Sequence, residues 1–274
     1  MLIDAHHHLW DTATRDYPWM DGPWADPIRG RFDLARYTGL AADHEVTGSI
    51  VVQALHSLDE TRELLGVAAA GPVEGVVGWI DLTAPDVADT IAGLSGPLVG
   101  VRHQAQDEPD PNWLTRADVR RGLRAVGEAG LVFDLLVKPP QADAALAIAR
   151  ACPDLRFVLD HAGKPDIAGG VWEPWASWIT ALAALPNVAV KLSGLVTEAG
   201  RDWKPSDVLP YARHVIDAFG PARVMFGSDW PVATLATGYG VVLDIAERAA
   251  EGLSETEHAQ LFGGTACRVY GIGT

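Results

Sequence analysis

Cysteine is almost absent from this sequence, and long apolar runs and basic leader segments are missing altogether. Only Cys152 and Cys267 occur, far apart in the chain, which argues against a disulfide framework and fits a reducing cytoplasm. No apolar run is long enough to cross a bilayer, and no basic segment precedes a short apolar one as in a secretory signal. We therefore expect a cytoplasmic protein without a membrane partner.

Basic residues are also outnumbered. The chain has 21 Lys and Arg against 36 Asp and Glu, a formal net charge of −15. No basic stripe offers itself to nucleic acid or to an anionic membrane, so we expect neither as a partner. A small anionic substrate remains compatible with this charge, because a pocket can differ in sign from the surface around it.

The rest of the composition is that of an ordinary globular protein. Hydrophobic residues make up 48% and charged residues 21% of 274 positions, which is enough to bury a full core. No internal repeat, low-complexity segment or interdomain linker interrupts the chain. We therefore predict one domain over residues 1–274.

Short apolar runs alternate with helical patterns along the sequence. The predicted strands cover residues 2–5, 48–53, 73–80, 98–103, 131–137, 156–161, 188–192 and 223–227. The predicted helices cover residues 32–44, 57–70, 86–94, 118–129, 141–151, 175–185, 207–219, 238–250 and 254–262. About eight strands, buried on both faces, thus alternate with about eight helices.

This alternation predicts an α/β fold, a single-domain (β/α)8 barrel of the triosephosphate-isomerase type. The second interpretation is a doubly wound open sheet. Such a sheet would carry a glycine-rich phosphate loop after its first strand, and histidines stand at that place here.

Three consecutive histidines, His6, His7 and His8, follow the first predicted strand. Side chains alternate along a strand, so His6 and His8 point to one side and His7 to the other. Two imidazoles on one side can converge on a metal ion, a water or a substrate oxygen. A purification tag or a solvated cluster is the alternative, but this cluster continues an apolar strand.

Ionisable and polar residues follow most of the other predicted strands. In a parallel barrel the carboxyl ends of the strands surround the active site, so these residues are candidates for it. They are Gln53, His56, Trp79, Asp81, Arg102, His103, Lys138, Asp160, His161, Lys191, Ser193, Ser228 and Asp229.

Asp229 and His161 are the strongest catalytic candidates in this set. A carboxylate near histidines can take a proton from water, although Asp229 could instead cap the next helix. His161 could equally be a core histidine bonded to the backbone. Gly227, two residues before Asp229, allows a close backbone approach.

Two cations in the set are open to two interpretations each. Arg102 could hold an anionic or hydroxylated substrate through its planar donors, or form an ion pair with an acidic residue of the following loop. Lys191 lies in a buried strand, where an unpaired charge is costly. It could bind substrate or neutralise a carboxylate. The loop acids are Asp107, Glu108 and Asp110, and the carboxylates near Lys191 are Asp160 and Asp229.

The long loop between residues 9 and 31 is rich in aromatic residues, with Trp10, Tyr17, Trp19 and Trp24. Loops of this length are usually functional or disordered, and the tryptophans favour order. The loop either walls a pocket or plugs one end of the core. Trp113 and Trp172, in later loops, could line the same pocket or pack in the core.

Seven segments together resemble the amidohydrolase superfamily, over nearly the whole chain. The likeness is closest to its lactonase branch, which includes fuconolactonase, other sugar-lactone hydrolases and pyrone-dicarboxylate lactonase. The segments are IDAHHHLWD at residues 3–11, YPWM at 17–20, VGVRHQ at 99–104, VLDHAGKP at 158–165, NVAVKLSGL at 187–195, MFGSDWPV at 225–232 and FGGTACRVYG at 262–271.

The resemblance implies that His6, His8, His161 and Asp229 surround a hydrolytic water. The fifth predicted strand ends without a histidine, at residues 136–139, which argues against a two-metal site. The four residues could hold one divalent ion, Zn²⁺ in first place, with an open position. Members of the lactonase branch could also dispense with metal, and the histidines would then polarise the carbonyl directly.

The implied reaction is the opening of a lactone, such as L-fuconolactone, to its hydroxy acid. Asp229 would activate water and return the proton to the leaving alkoxide, while the three histidines stabilise the oxyanion. The small lactone is the expected partner, and a homo-oligomer is compatible with the sequence. The residues expected to orient the substrate are Arg102, His103, Lys191, Trp113, Gln53 and Trp10.

Two alternatives remain open at this stage. A non-oxidative decarboxylase of the same superfamily would use a similar His and Asp cluster, and Arg102 would suit its carboxylate substrate. A catalytically silent barrel that binds a metabolite is the other. The presence of Asp229 and the paired histidines weighs against it.

Overall fold

Ten strands and eleven α-helices make up the computed structural model, which describes residues 1–273. The strands are β1 (Ile3–His7), β2 (Trp10–Asp11), β3 (Arg31–Phe32), β4 (Gly48–Val52), β5 (Val73–Gly78), β6 (Leu98–His103), β7 (Val132–Leu135), β8 (Phe157–Leu159), β9 (Val188–Leu192) and β10 (Val224–Phe226).

Eight of these strands form one parallel sheet in the order β1-β4-β5-β6-β7-β8-β9-β10. Backbone bonds between the two ends of this order curl the sheet into a barrel. The Asp229 N–H donates to the His6 carbonyl at 2.8 Å, and the His8 N–H donates to the Trp230 carbonyl at 2.7 Å. The predicted (β/α)8 barrel is thereby confirmed, and its closure brings Asp229 beside the histidines.

Helices cover the outside of the barrel. They are α1 (Leu34–Asp43), α2 (Leu58–Ala70), α3 (Val87–Ala92), α4 (Ala117–Glu128), α5 (Ala142–Ala151), α6 (Trp175–Ala183), α7 (Leu195–Glu198), α8 (Pro205–Phe219), α9 (Tyr239–Ala249), α10 (Glu255–Ala259) and α11 (Thr265–Tyr270). Within residues 1–273, none of the helices has both the length and the apolar character needed to span a bilayer.

Local sequence explains where several helices begin. The side chains of Asp33, Ser57 and Ser254 each accept the backbone N–H three residues on. The Ser57 cap lacks its reciprocal half, because the Glu60 carboxylate instead accepts the N–H groups of Ala54 and Leu55. Glu60 thus holds the loop that follows β4.

Two predicted boundaries are wrong for identifiable reasons. Residues 32–33 do not begin a helix, because Phe32 pairs with Trp10 in the small antiparallel sheet of β2 and β3. The predicted sixth strand ends early, at Leu159, because Asp160–Gly163 forms a tight turn instead.

The inside of the barrel is layered by polarity. Its lower part is apolar, and the C-terminal helix α11 closes it through Val269 and Tyr270. Inward side chains above this layer carry charge, including Asp134, Asp160 and Lys191, all with no exposed surface. Buried charges of this kind must be paired, and they support the site above them.

Candidate active site

His6 and His8 meet at the carboxyl end of β1. Their Nε2 atoms are 3.2 Å apart. His7 points away, with its ring stacked on Tyr37 at a centroid distance of 3.6 Å and its Nε2 3.1 Å from Ser49 Oγ. The three side chains therefore alternate in direction, as expected from the sequence for residues of one strand.

Asp229 faces both histidines from the segment after β10. Its Oδ1 lies 3.5 Å from His8 Nε2 and 3.8 Å from His6 Nε2. Burial opposes ionisation of this carboxyl, but the neighbouring His161 and His8 outweigh that effect and lower its pKa. Asp229 is thus held as a carboxylate, the form that can accept a proton.

The buried carboxylate of Asp4 ties the ends of β1 and β10 together. It accepts the Ser228 N–H at 2.8 Å, the Ser228 hydroxyl at 2.6 Å and the His6 N–H at 3.1 Å. A side chain at Gly227 would bring its Cβ to 2.7 Å from His6 Cβ, so only glycine permits this approach. The sequence offered one signal for Asp4, a carboxylate inside an apolar strand.

His161 completes the cluster from an unusual turn. Residues 161–164 all adopt left-handed backbone conformations, with φ between 50° and 70°. Such conformations are costly for residues other than glycine and occur at sites where the surroundings enforce them. The turn aims His161 Nε2 at Asp229 Oδ1, 4.0 Å away, while Ser193 Oγ lies 2.9 Å from His161 Nδ1.

The Nδ1 atoms of the three imidazoles each face a fixed partner. His8 Nδ1 lies 2.7 Å from the Val52 carbonyl, and His161 Nδ1 lies 2.9 Å from the Ser193 hydroxyl. His6 lies among charged groups instead, with its Nδ1 3.2 Å from Lys191 Nζ and its Nε2 3.3 Å from Arg102 Nη1. Burial lowers the pKa of all three rings, that of His161 to about 4, and neutral imidazoles are common metal ligands.

Three of these residues have donor atoms close enough together for a single metal ion. His6, His161 and Asp229 each offer an atom within 4.8 Å of the others. His8 is not part of this group, although its Nε2 lies 3.2 Å from His6 Nε2 and 3.5 Å from Asp229 Oδ1. Ligands about 2.1 Å from a tetrahedral ion lie about 3.4 Å apart, so these residues are candidates for the one-metal alternative of the sequence analysis.

A layer of buried ion pairs lies beneath the histidines. Lys191 Nζ is 2.5 Å from Asp134 Oδ2 and 3.1 Å from Asp160 Oδ1. Arg102 Nη1 is 2.9 Å from Asp160 Oδ2, so its ion-pair partner is Asp160 and not an acid of the loop after β6. Tyr270 donates to Asp134 at 2.8 Å from below. The Asp160 carboxyl keeps a pKa well below its ordinary value, because Lys191 and His6 offset the effect of burial.

A cavity of about 430 Å³ opens above the cluster. Four residues that the sequence singled out line it: His8, Arg102, His161 and Asp229. Several lining residues were not among the expected substrate-binding set. Some of them still carried a sequence signal: Lys138 follows a predicted strand, Trp19 and Trp24 belong to the aromatic loop, and Lys164 lies in the HAGKP segment. The additional polar and aromatic lining residues are Trp19, Trp24, Gln104, Gln106, Asp107, Lys138, Lys164, Thr197, Glu198 and Arg201.

Most of the other residues expected to orient substrate lie behind the cavity wall. Gln53 is fully buried and accepts from Arg102 Nε at 3.2 Å. His103 donates through Nε2 to Glu108 Oε1 at 2.7 Å and stacks on Trp113 at a centroid distance of 3.9 Å. Lys191 is enclosed in the ion-pair layer, which matches the charge-balancing interpretation of this residue.

The tryptophans divide between wall and core. Trp19 and Trp24 line the cavity, whereas Trp10 is buried and donates through Nε1 to the Ile28 carbonyl at 2.9 Å. The loop after β1 therefore both walls the pocket and packs against the barrel. Trp172 lies on the outer surface against Trp175.

The buried neutral histidines predict a loss of stability in acid. Burial lowers the pKa of His103 and of His161 to about 4, from 6.5, so the unfolded chain binds more protons than the native one between these values. The free energy of unfolding should fall as the pH drops through that range, by up to about 1.4 kcal/mol per unit for each group. The free energy of unfolding in urea, measured at about pH 7 and about pH 5, checks this prediction. The variant His103→Gln should show a weaker dependence of that free energy on pH. Equal stability at the two pH values would contradict it.

Comparison with known proteins agrees with this geometry. The Amidohydrolase family matches residues 3–272. The chain is 41% identical to L-fucono-1,5-lactonase of Burkholderia ambifaria, over 98% of this chain and 95% of that protein. It is 40% identical to L-fucono-1,5-lactonase of Burkholderia multivorans, over 99% and 96%. A crystal structure of an amidohydrolase from Burkholderia multivorans with bound zinc superposes with a TM-score of 0.94, at 40% identity and 99% coverage of both chains. The chain therefore belongs to the amidohydrolase family.

Proposed function

We propose that this protein is a lactonase that opens a sugar lactone, with L-fucono-1,5-lactone as the first candidate. The observation that carries the proposal is the convergence of three neutral imidazoles and one carboxylate at the base of an open cavity. Two relatives at 40% and 41% identity are lactonases of this kind. The cluster suits water activation beside a carbonyl.

Unpaired polar atoms in the wall support a hydroxylated substrate. Trp19 Nε1, a donor, and Gln106 Oε1, an acceptor, are buried and have no protein partner among residues 1–273. Both residues line the cavity. Leaving such groups unsatisfied costs about 1–3 kcal/mol each, and the hydroxyls of a sugar ring can accept from one and donate to the other.

His6, His8, His161 and Asp229 would hold one divalent ion, and zinc suits their nitrogen and oxygen donors. Bound there, the ion would lower the pKa of a water molecule and polarise the lactone carbonyl. The Val52 carbonyl and the Ser193 hydroxyl, at the Nδ1 atoms of His8 and His161, would keep Nε2 of these two rings aimed at the centre. Such outer partners typically change metal affinity 10- to 100-fold.

The chain's own residues supply the proton transfers. Asp229 takes a proton from the attacking water, which its Oδ1 approaches from beside His8 and His6. Water then adds to the carbonyl, and the ester C–O bond breaks. Asp229 returns the proton to the ring oxygen, which becomes a hydroxyl, and the new carboxylic acid releases the second proton of the water to solvent as it ionises to the carboxylate. Arg102, fixed by Asp160, orients the substrate from the cavity floor.

In this scheme Gln53, Trp113 and Trp10, which were expected to contact the substrate, act indirectly from behind the cavity wall. Gln53 holds Arg102, and Trp113 supports His103. Trp10 packs beside His8, with ring centroids 5.9 Å apart. Each is a positioning residue for a side chain closer to the cavity.

Proton release from a panel of sugar lactones, read with a pH indicator, tests the proposal. We expect release with L-fucono-1,5-lactone, its loss after chelation, and its return with one equivalent of Zn²⁺ per chain, counted by metal analysis. Release that survives complete metal removal would retain the lactonase and contradict the metal site. Carbon dioxide release from aromatic acids, without lactone turnover, would replace the proposal with the decarboxylase alternative.

A further inference from the structure

The active-site cavity has two unlike sides. Trp19 and Trp24 belong to the loop after β1, whereas Lys138, Lys164 and Arg201 follow β7, β8 and β9. In the ring of eight strands, β7, β8 and β9 stand four, three and two places from β1, so Lys138 comes from the side of the barrel opposite the tryptophans and Arg201 from nearer to them. The loop after β1 supplies aromatic rings, and the segments after β7, β8 and β9 supply positive charge.

This positive charge is unusual for the chain. The net charge is −15, and the sequence has only four lysines, of which Lys138 and Lys164 both line the cavity. In the part of the chain that the structure describes, neither Lys138 nor Arg201 forms an ion pair, although both are exposed. Lys164 Nζ lies 3.9 Å from Glu198 Oε1, a long contact. The three cations therefore keep capacity for an external anion.

Carboxylates also line the cavity, but they leave two of its cations without an ion pair. Asp229 lies among the histidines, Glu198 faces Lys164, and Asp107 accepts from the neighbouring Gln106 side chain at 3.4 Å. Within residues 1–273, none of these three carboxylates pairs with Lys138 or Arg201. Cations in a cavity attract ligands of the opposite sign.

We propose that Lys138, Lys164 and Arg201 form an anion subsite in the cavity that holds a carboxylate of the substrate or of the product. This inference rests on the proposed function and extends it to the class of molecule that the cavity takes. The carboxylate has two chemical sources. It is either a second acidic group of the lactone itself or the acid that ring opening creates.

Equilibrium binding of glutarate tests the subsite without requiring turnover. Glutaramide, of the same length but neutral, is the matched ligand, and quenching of tryptophan fluorescence reports on the cavity through Trp19 and Trp24. We expect the wild-type protein to bind glutarate at least about tenfold more tightly than glutaramide. The double variant Lys138→Met/Arg201→Met should lose about tenfold of that preference, because it removes two exposed cations without disturbing the core.

Lys204→Met is the matched control, since Lys204 is an exposed lysine outside the cavity, and it should keep the wild-type preference. Equal affinities for glutarate and glutaramide, or a preference that the double variant retains, would overturn the subsite. Because binding is read directly, a protein that binds glutarate but opens no lactone would retain the subsite and contradict the proposed function.

Kinetics then identify the source of the carboxylate. A higher kcat/KM for D-glucaro-1,4-lactone, which carries a free carboxylate, than for neutral D-glucono-1,4-lactone would assign the subsite to the substrate. Competitive inhibition by D-gluconate that weakens in the double variant, without a preference between the lactones, would assign it to the product. If the protein turns over either lactone, the absence of both effects would overturn the subsite.

Discussion

Asp229→Asn should reduce kcat for lactone opening by about 10³-fold, within the range for removal of a general base. Asparagine has the same shape but cannot accept the proton of water. Its side chain still fits beside His8 and His6, whose Nε2 atoms lie 3.5 and 3.8 Å from Asp229 Oδ1. Initial rates with the purified variant, together with its circular dichroism spectrum, measure the effect on a folded protein.

The control for this variant is Asp244→Asn. Asp244 is a solvent-exposed aspartate of α9, paired with Arg248 at 3.7 Å, and its replacement should leave kcat unchanged. Turnover of Asp229→Asn within a few-fold of wild type would show that another group activates water.

Lys191→Met should destabilise the protein by about 3–5 kcal/mol, because it leaves buried carboxylates without their cation. Lys191 lies between Asp134 and Asp160, and none of the three side chains is exposed. The free energy of unfolding in urea measures the loss. If Lys191 instead served to bind substrate, its replacement would raise KM and leave stability nearly unchanged.

The pH dependence of the stability lost in Lys191→Met gives a second readout. Without the ammonium group, burial raises the pKa values of Asp134 and Asp160 in the native state above those of the unfolded chain. The native variant then binds more protons than the unfolded one, so its deficit against wild type should shrink as the pH falls. Lys204→Met should stay within about 0.5 kcal/mol of wild type. The double variant Lys191→Met/Asp134→Asn should regain part of the lost free energy of unfolding. A difference in stability between Lys191→Met and wild type that did not change with pH would contradict the charge argument.

Sequence periodicity was sufficient to predict the barrel and the direction of the candidate catalytic side chains. Alternation along a strand separates His7 from His6 and His8 in any strand, whatever surrounds it. The rule that strand ends face the site brought Asp229 and His161 into the same set before any distance was known. Both rules depend only on local geometry and on the fold class.

Long-range pairing could not be read in the same way. Arg102 pairs with Asp160, 58 residues away, whereas the acids nearest in sequence lie in the loop after β6. Lys191 finds Asp134 at a separation of 57 residues. Such partners depend on the registers of several strands at once, which no local pattern encodes.

The cavity wall was only partly accessible to sequence reasoning. The rule for strand ends singled out Lys138, but Glu198 ends the short helix α7 and Arg201 follows it, where no periodic pattern extends from a strand. The left-handed turn at residues 161–164 breaks an apolar pattern that otherwise predicts a longer strand. Its backbone is enforced by packing, for a Cβ at Gly194 would lie 2.6 Å from His161 Nδ1.

The central claim is that water, activated at Asp229, attacks the carbonyl carbon of a lactone. Hydrolysis of L-fucono-1,5-lactone in water enriched in oxygen-18, with mass analysis of the product, tests it most directly. The account predicts one labelled oxygen in the new carboxylate and none in the released hydroxyl. Label in the hydroxyl, or no enzyme-dependent product above the spontaneous rate, would contradict it.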